Sequence, residues 1–148
     1  MQRILALIAS LFLLGVVAQA QVRFTMNAAS DDAVAGWQKM EIDGRSIWVS
    51  PTPALTSADI RGAEPASDRN YGNFVKVVFT DAGAKKMRDL STAQMNKLIA
   101  MVLDGKVLSA PKVRSVISNE GIITGKRPDG LTTGEVRRIL TSVNQRQR

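Results

Sequence analysis

Hydrophobic residues recur along this chain with two different periods, and these periods mark the predicted strands and helices. Every second residue is apolar within "KMEIDGRSIWV" (39–49) and "FVKVVF" (74–79), which predicts strands with one buried face. Apolar residues recur every three or four positions in "DAGAKKMRDLSTAQM" (81–95) and "LTTGEVRRILTSV" (131–143), which predicts two amphipathic helices. The segment "LIAMVL" (98–103) is apolar throughout and predicts a strand that is covered on both faces.

Two Asp-Gly pairs, Asp43-Gly44 and Asp104-Gly105, interrupt these alternating segments. Asp-Gly is favoured in two-residue hairpin turns, because both turn residues take a positive φ. We therefore expect one hairpin over 39–49 and a second in which "KVLSAP" returns along the strand 98–103. Pro111 lacks an N–H group, so we expect a bulge or a sheet edge there. The residues of this motif, Asp104, Gly105 and Pro111, are interpreted as structural.

Capping boxes mark two helix starts. Thr56 precedes Asp59 by three residues and predicts a short helix that ends near residue 62, and Thr132 and Glu135 begin the last helix in the same way.

Other segments carry weaker signals. Residues 22–26 predict an edge strand, and "GAEPASDRNYGN" (62–73) has the composition of a loop. The segments "KVRSVI" (112–117) and "EGIITG" (120–125) predict further short strands. The pattern as a whole predicts an α+β fold, with a single mostly antiparallel or mixed sheet of about four to six strands and two main helices packed on one face.

The first twenty residues have the layout of a secretory signal peptide. Arg3 precedes a fourteen-residue apolar run, and small residues at 18 and 20 predict cleavage near Ala20. The alternative is a retained anchor, but the run is shorter than the roughly 17 residues that span a bilayer. We therefore expect an exported chain, periplasmic or extracellular, that does not span the membrane once processed. The predicted division is 1–20 signal peptide, 21–50 N-terminal extension with a hairpin, 51–144 α+β domain and 145–148 frayed tail.

Composition excludes several kinds of chemistry. The chain has no His and no Cys, so the usual ligands of zinc, copper and haem are missing, as are His-based and Cys-based catalysis. We predict no metal, no cofactor and no catalytic residue. The net charge is +7, but the cations are scattered, and an exported chain is not expected to bind nucleic acid.

The tetrapeptide Ser109-Ala-Pro-Lys112 matches the serine–lysine spacing of penicillin-recognising enzymes. That chemistry needs a helix start, where the lysine lies one turn from the serine on the same face. Here the segment is predicted to be a strand, in which the two side chains project to opposite faces. A serine hydrolase that uses Ser109 and Lys112 is therefore kept only as an alternative to a non-enzymatic protein.

The order of the motifs "FVKVVFTDAGAKKMRDLS", "KLIAMVLDGKVLSAPKVRSVISNEGIITG" and "LTTGEVRRIL" resembles the head subdomain of the first periplasmic region of the SecD/SecDF family. The similarity covers roughly residues 50 to 142. The matching positions are Phe79-Thr80, Gly83-Ala84, 100–111, Ile117, Ile123, Gly125 and 133–140.

The resemblance implies a stand-alone, exported head subdomain without the membrane part of SecD. It also implies a non-enzymatic binding module that engages polypeptide, or an envelope protein partner, during protein export or envelope assembly. The candidate interaction surface consists of Lys112, Arg114, Arg137 and Arg138. An alternative is an adaptor that docks on a folded membrane partner through the basic helix face of Arg137 and Arg138. The oligomeric state is left open.

Overall fold

The computed structural model describes residues 21–145, which contain nine β-strands, one 3₁₀ turn and two α-helices. The predicted signal peptide 1–20 lies outside the described residues, as does the predicted tail beyond residue 145. The strands are β1 (Phe24–Ser30), β2 (Gln38–Ile42), β3 (Arg45–Val49), β4 (Leu55–Thr56), β5 (Ile60–Asp68), β6 (Gly72–Phe79), β7 (Leu98–Leu103), β8 (Lys106–Ser109) and β9 (Glu120–Ile123). The 3₁₀ turn covers Ser57–Asp59, and the helices are α1 (Asp81–Ala93) and α2 (Thr133–Asn144).

Six strands form a larger antiparallel sheet in the order β2-β3-β1-β7-β8, with β4 paired to the first half of β1. The prediction of an edge strand over 22–26 is wrong, because β1 has β7 along one side and β3 and β4 along the other. Phe24 and Met26 are buried on one face of β1 and Ala29 on the other. β2 also lies beside β8, so the sheet curls until its two outer strands approach each other.

All six residues of β7 are buried, which confirms the predicted strand with both faces covered. Ile99, Met101 and Leu103 face the main core. The alternate residues, Leu98, Ala100 and Val102, face a smaller cluster inside the curl of the larger sheet. This is the period of two that a strand imposes on its side chains.

The other three strands form a smaller antiparallel sheet in the order β5-β6-β9. Its inner face buries Val77, Phe79 and Ile123 in the main core. Met87 of α1 and Ile139 of α2 belong to the same cluster, so both helices and both sheets share one core. Each fully buried side chain of this kind contributes about 1.5–3 kcal/mol, and the chain has no cysteine that could add a disulfide.

The two Asp-Gly turns are confirmed. Asp43 and Gly44 have φ values of 50° and 74°, and Asp104 and Gly105 have 49° and 82°. These turns join β2 to β3 and β7 to β8, and positive φ at both positions is typical of the type I′ hairpin.

The capping boxes are also confirmed, although one of them starts a smaller element than predicted. The Thr132 side chain accepts from the Glu135 amide at 3.1 Å, and the Glu135 carboxylate accepts from the Thr132 amide at 2.8 Å. Thr56 and Asp59 make the equivalent box, but the helix there is a single 3₁₀ turn that leads directly into β5.

The α+β class is confirmed by the two helices and the antiparallel strands, but the strands divide between two sheets rather than forming one. Residues 62–73, predicted as a loop, form most of β5 and the start of β6. Pro65 lies within β5, and this is tolerated because β5 is an edge strand. The segment 112–117, predicted as a strand, forms no strand and pairs with its neighbours among the described residues through the isolated bridges Met95–Val113 and Leu98–Lys112.

Candidate functional site

An open groove with a volume of about 1430 Å³ lies where the two sheets meet. One wall is formed by residues of the segment 109–114, at and after the end of β8. The other wall is formed by residues 62–64, 76–78 and 120–122 of the smaller sheet, and the β2–β3 turn and the loop 124–127 also line the site. We refer to this site as the intersheet groove.

Ser109 connects the two sheets at this groove. Its hydroxyl donates to the carbonyl oxygen of Thr124 at 2.9 Å and lies 3.1 Å from the Thr124 hydroxyl. Its Oγ also lies 3.4 Å from the sulfur of Met101. Ser109 is the last residue of β8 and Thr124 follows β9, so this contact links the larger sheet to the smaller one.

The segment after β8 is held by backbone hydrogen bonds that keep its cations at the surface. The Val113 amide donates to the Lys97 carbonyl at 2.8 Å, and the Val113 carbonyl accepts from the Asn96 amide at 2.9 Å. Val113 is buried in the main core, whereas Lys112 and Arg114 on either side of it are exposed. Neighbouring side chains of an extended segment project to opposite sides, so burial of Val113 turns both cations outward. Pro111 follows the end of β8, an outer strand, and its carbonyl accepts from the Ile99 amide at 3.1 Å. The register shift in the β7–β8 pairing lies between Val107 and Ser109, before Pro111.

The outer face of the smaller sheet presents apolar surface to the groove. Val78 is 43% exposed, although Val77 and Phe79 beside it are buried. Gly62 lies opposite Val78 in the register of β5 and β6, and Ile122 lies opposite Lys76 in that of β6 and β9. Residues directly opposite each other in an antiparallel pair share a face. Val78 and Ile122 are therefore diagonal neighbours on the outward face of the sheet, with Glu120 opposite Val78, and together they form a short apolar strip.

The charges in the groove are predominantly positive. Six cationic side chains and three carboxylates line it: Arg45, Lys76, Lys112, Arg114, Lys126 and Arg127, against Asp43, Glu64 and Glu120. Lys126 pairs with Asp43 at 3.4 Å, and Arg45 pairs with Asp31 outside the groove at 2.7 Å. The guanidinium of Arg127 lies 4.5 Å from the centre of the Tyr71 ring, in cation–π geometry.

The structure divides the four predicted interaction residues between two places. Lys112 and Arg114 line the intersheet groove, whereas Arg137 and Arg138 lie on α2 and do not. Arg138 is bound to the Asp104 carboxylate through Nε, at 3.0 Å, and through a second guanidinium nitrogen. The basic helix face is therefore partly occupied by an internal ion pair.

Asp104 is a connecting residue as well as a turn residue. Its carboxylate accepts from the Arg23 amide at 2.9 Å, and its own amide donates to the Arg23 carbonyl at 2.8 Å. Partial burial opposes ionisation of Asp104, but the Arg23 amide and the Arg138 guanidinium outweigh it and hold the pKa of Asp104 below its ordinary value. The turn thereby ties the beginning of β1 to α2.

The serine–lysine pair is not assembled for catalysis. The Ser109 hydroxyl contacts Thr124 and Met101, and within residues 21–145 it makes no hydrogen bond with the Lys112 amine. Lys112 is exposed and lies on the bridge to Leu98. A serine nucleophile needs a base within hydrogen-bond reach, and this hydroxyl has a carbonyl oxygen there instead.

Gly62, Val78 and Ile122 were missed by sequence reasoning. Val78 alone was recognisable from the sequence, because it is an apolar residue on the same side of its strand as Lys76. Gly62 could not be recognised, since its partner across the sheet is known only from the register.

Metal-binding clusters and membrane-spanning helices are both absent from the described residues. No cluster of three or more Asp or Glu residues within 21–145 could hold a metal ion. None of the helices within these residues has the length and hydropathy needed to cross a bilayer.

Comparison with known proteins identifies the fold. The sequence pattern of the SecDF P1 head subdomain matches residues 33–130, about two thirds of the chain. The chain belongs to the SecDF P1 head subdomain family. The match includes the β2–β3 hairpin as well as the strands that form the intersheet groove.

Curated relatives include protein translocase subunits from several bacteria. SecD of Rhodobacter capsulatus is 37% identical over 75 residues, which is 50% of this chain and 14% of that protein. SecD of Rickettsia prowazekii is 32% identical over 110 residues, 67% of this chain and 21% of that protein. SecDF of Thermus thermophilus is 36% identical over 74 residues, 49% of this chain and 10% of that protein. The matched region therefore spans less than a quarter of each of these relatives.

Solved structures show the same fold. A structure described as that of "a membrane component SecDF that enhances protein export" superposes with a TM-score of 0.61 at 20% identity, covering 83% of this chain and 62% of that chain. SecDF in a super-membrane-facing form also gives a TM-score of 0.61, at 22% identity, covering 82% of this chain and 18% of that chain.

Proposed function

We propose that this protein is a non-enzymatic, exported interaction module that binds extended polypeptide in the intersheet groove during protein export. The relatives are named protein translocase subunits, and one structural neighbour is described as enhancing protein export. The observation that carries the proposal is the groove itself, which joins exposed apolar surface to the free edge of a sheet.

The edge of the smaller sheet supports the recognition of an extended chain. Among the described residues, β9 is the last strand of the order β5-β6-β9, so its side away from β6 has no strand partner. Residues 120–122 of this strand line the groove. An extended peptide can add to such an edge through backbone hydrogen bonds, which gives affinity with little dependence on side-chain identity.

The size of the groove supports the same conclusion. Small-molecule sites commonly have volumes of about 300–1,000 Å³ and enclose their ligand. The intersheet groove is larger, at about 1430 Å³, and it is open to solvent. A chain segment of several residues fits this shape better than an enclosed small ligand.

The adaptor alternative receives less support. It requires Arg137 and Arg138 to be available to a folded partner, but Arg138 is bound to Asp104. A partner that used this guanidinium would first have to separate it from a carboxylate that it already contacts.

Titration with an unfolded polypeptide tests the proposal, with Gly62→Tyr as the blocking variant. A Cβ at Gly62 meets nothing within 4 Å and lies beside Val78 on the groove side, so the tyrosine ring is accommodated by the fold but occupies the groove. Gly134→Tyr is the control, because Gly134 is exposed on α2 and a Cβ added there would lie 3.8 Å from its nearest neighbour, the Oγ1 atom of Thr132.

We expect micromolar binding of a permanently unfolded secretory polypeptide by calorimetry. Gly62→Tyr should weaken it by about tenfold or more, and Gly134→Tyr should leave it unchanged. Absence of binding at high micromolar concentration, or equal binding by Gly62→Tyr, would overturn the proposal.

A further inference from the structure

The two walls of the intersheet groove differ in charge. On the segment after β8, Lys112 and Arg114 flank buried Val113, and neither has an ion-pair partner among residues 21–145. No carboxylate belongs to this wall between Ser109 and Arg114. Two outward-facing cations therefore lie beside the groove without a partner of opposite charge in the described part of the chain.

The carboxylates of the groove lie elsewhere. Asp43 is paired with Lys126. Glu64 lies opposite Lys76 in the register of β5 and β6. Glu120 lies opposite Val78 in the register of β6 and β9, diagonal to Lys76. Within residues 21–145 these two carboxylates form no ion pair, and both lie near Lys76 of their own sheet rather than on the wall of Lys112 and Arg114.

Apolar surface lies beside these charges, since Val78 is opposite Glu120 and Ile122 is opposite Lys76. Val78 is 43% exposed and Ile122 is half-buried, so together they offer a strip to which one or two apolar side chains of a ligand can bind. A purely electrostatic site for polyanions would not need this strip. A purely apolar site would not need two unpaired cations beside it.

We infer that the intersheet groove prefers extended polypeptide segments in which an apolar residue is flanked by Asp or Glu. This inference rests on the proposed function, because it names the class of segment that the same groove selects. The apolar residue of the segment contacts Val78 and Ile122, and the carboxylates approach Lys112 and Arg114. Exposed charge pairs contribute modestly, so the preference is one of degree and decreases as salt is raised.

The test uses labelled peptides of equal length that share an apolar centre and differ only in their flanks, which are Glu, Gln or Lys. A fourth peptide keeps the Glu flanks and replaces the apolar centre with Ser. Fluorescence anisotropy with the purified protein gives the four affinities, at low and at high salt. Lys112→Glu/Arg114→Glu is the variant. Lys85→Glu/Arg88→Glu is the matched control, since both residues are exposed on α1 away from the groove.

We expect the Glu-flanked peptide to bind about tenfold more tightly than the Lys-flanked one at low salt. Lys112→Glu/Arg114→Glu should reverse this order, and Lys85→Glu/Arg88→Glu should preserve it. Equal affinities for the three flanks would overturn the inference and leave the proposed function standing, whereas failure of every peptide to bind would count against both. The inference would also be overturned if the peptide with the Ser centre bound as tightly as the Glu-flanked peptide with the apolar centre. The same holds if Lys85→Glu/Arg88→Glu changed the order of affinities as much as Lys112→Glu/Arg114→Glu.

Discussion

The Oγ of Ser109 and the carbonyl oxygen of Thr124 lie 2.9 Å apart, and this hydrogen bond connects the two sheets at the intersheet groove. It gives a structural role to a serine whose sequence context resembles that of a catalytic nucleophile. The residue is half-buried, so loss of its hydroxyl leaves the Thr124 carbonyl with poorer access to a replacement partner than at a fully exposed site.

Ser109→Ala should lower the free energy of unfolding by about 1 kcal/mol, because it removes this hydrogen bond between the sheets. Urea denaturation at pH 7 measures the change. Ser115→Ala is the control, since Ser115 is exposed, and it should change stability by less than about 0.5 kcal/mol. Equal stability of Ser109→Ala and Ser115→Ala would show that the contact does not hold the sheets together.

A serine-directed fluorophosphonate probe should leave the purified protein unlabelled. The reason is that the Ser109 hydroxyl donates to a carbonyl oxygen and makes no hydrogen bond with Lys112 within the described residues. Intact-protein mass spectrometry measures the labelling. An adduct that forms on the wild type and disappears in both Ser109→Ala and Lys112→Ala would restore the hydrolase alternative.

Asp104→Asn should lower the free energy of unfolding by about 1–2 kcal/mol at pH 7, because it removes the charge that binds Arg138 and the Arg23 amide. Asparagine tolerates the positive φ of this turn, so the backbone is conserved. Arg137→Gln is the control, since Arg137 is exposed on the same helix.

The stability difference between wild type and Asp104→Asn should depend on pH in a definite direction. The pKa of Asp104 is lower in the folded protein than its ordinary value of 3.8, so its stabilising contribution is present above that value and is lost as the pH falls through the folded pKa. The stability difference between wild type and Asp104→Asn should therefore shrink below about pH 4. A difference that stays constant from pH 7 to pH 2.5 would contradict this interpretation.

Gly83→Ala should lower the free energy of unfolding by about 2 kcal/mol or more, because a Cβ at this position would overlap the backbone carbonyl oxygen of Asp59. The clash lies between α1 and the 3₁₀ turn, where the Thr80 amide also donates to the Asp59 carbonyl at 2.9 Å. Gly134→Ala in α2 is the matched control, and it should be neutral or stabilising because the atom nearest to its Cβ lies at an ordinary contact distance of 3.8 Å and alanine favours the helix. Thermal unfolding followed by circular dichroism measures both, and a neutral Gly83→Ala would mean that α1 packs less closely against the turn.

Elements specified by adjacent residues could be predicted from the sequence. The turn preference of two adjacent residues is enough to predict the hairpins at Asp43-Gly44 and Asp104-Gly105. The start of α2 is predicted from Thr132 and Glu135 alone. The family resemblance was likewise carried by motifs that follow one another along the chain.

Elements specified by distant partners could not be predicted. β5 has small residues and Pro65 where a strand would show alternation, and its pairing with β6 makes it a strand. The central position of β1 depends on β7, whose partner residues lie more than 65 positions further along the chain. The groove combines these effects, because Gly62, Val78 and Lys112 come together only when both sheets are in place. Lys112 and Arg114 were selected from sequence for their charge, but their separation from Arg137 and Arg138 required the three-dimensional arrangement.

Amide chemical-shift mapping of the isotope-labelled protein during titration with an unfolded polypeptide tests the central claim most directly. Binding in the intersheet groove predicts the largest shift changes in 109–114 and in β9, with no comparable change around Arg137. The same changes should be absent in Gly62→Tyr. Shift changes centred on α2, or an unchanged pattern in Gly62→Tyr, would contradict the account.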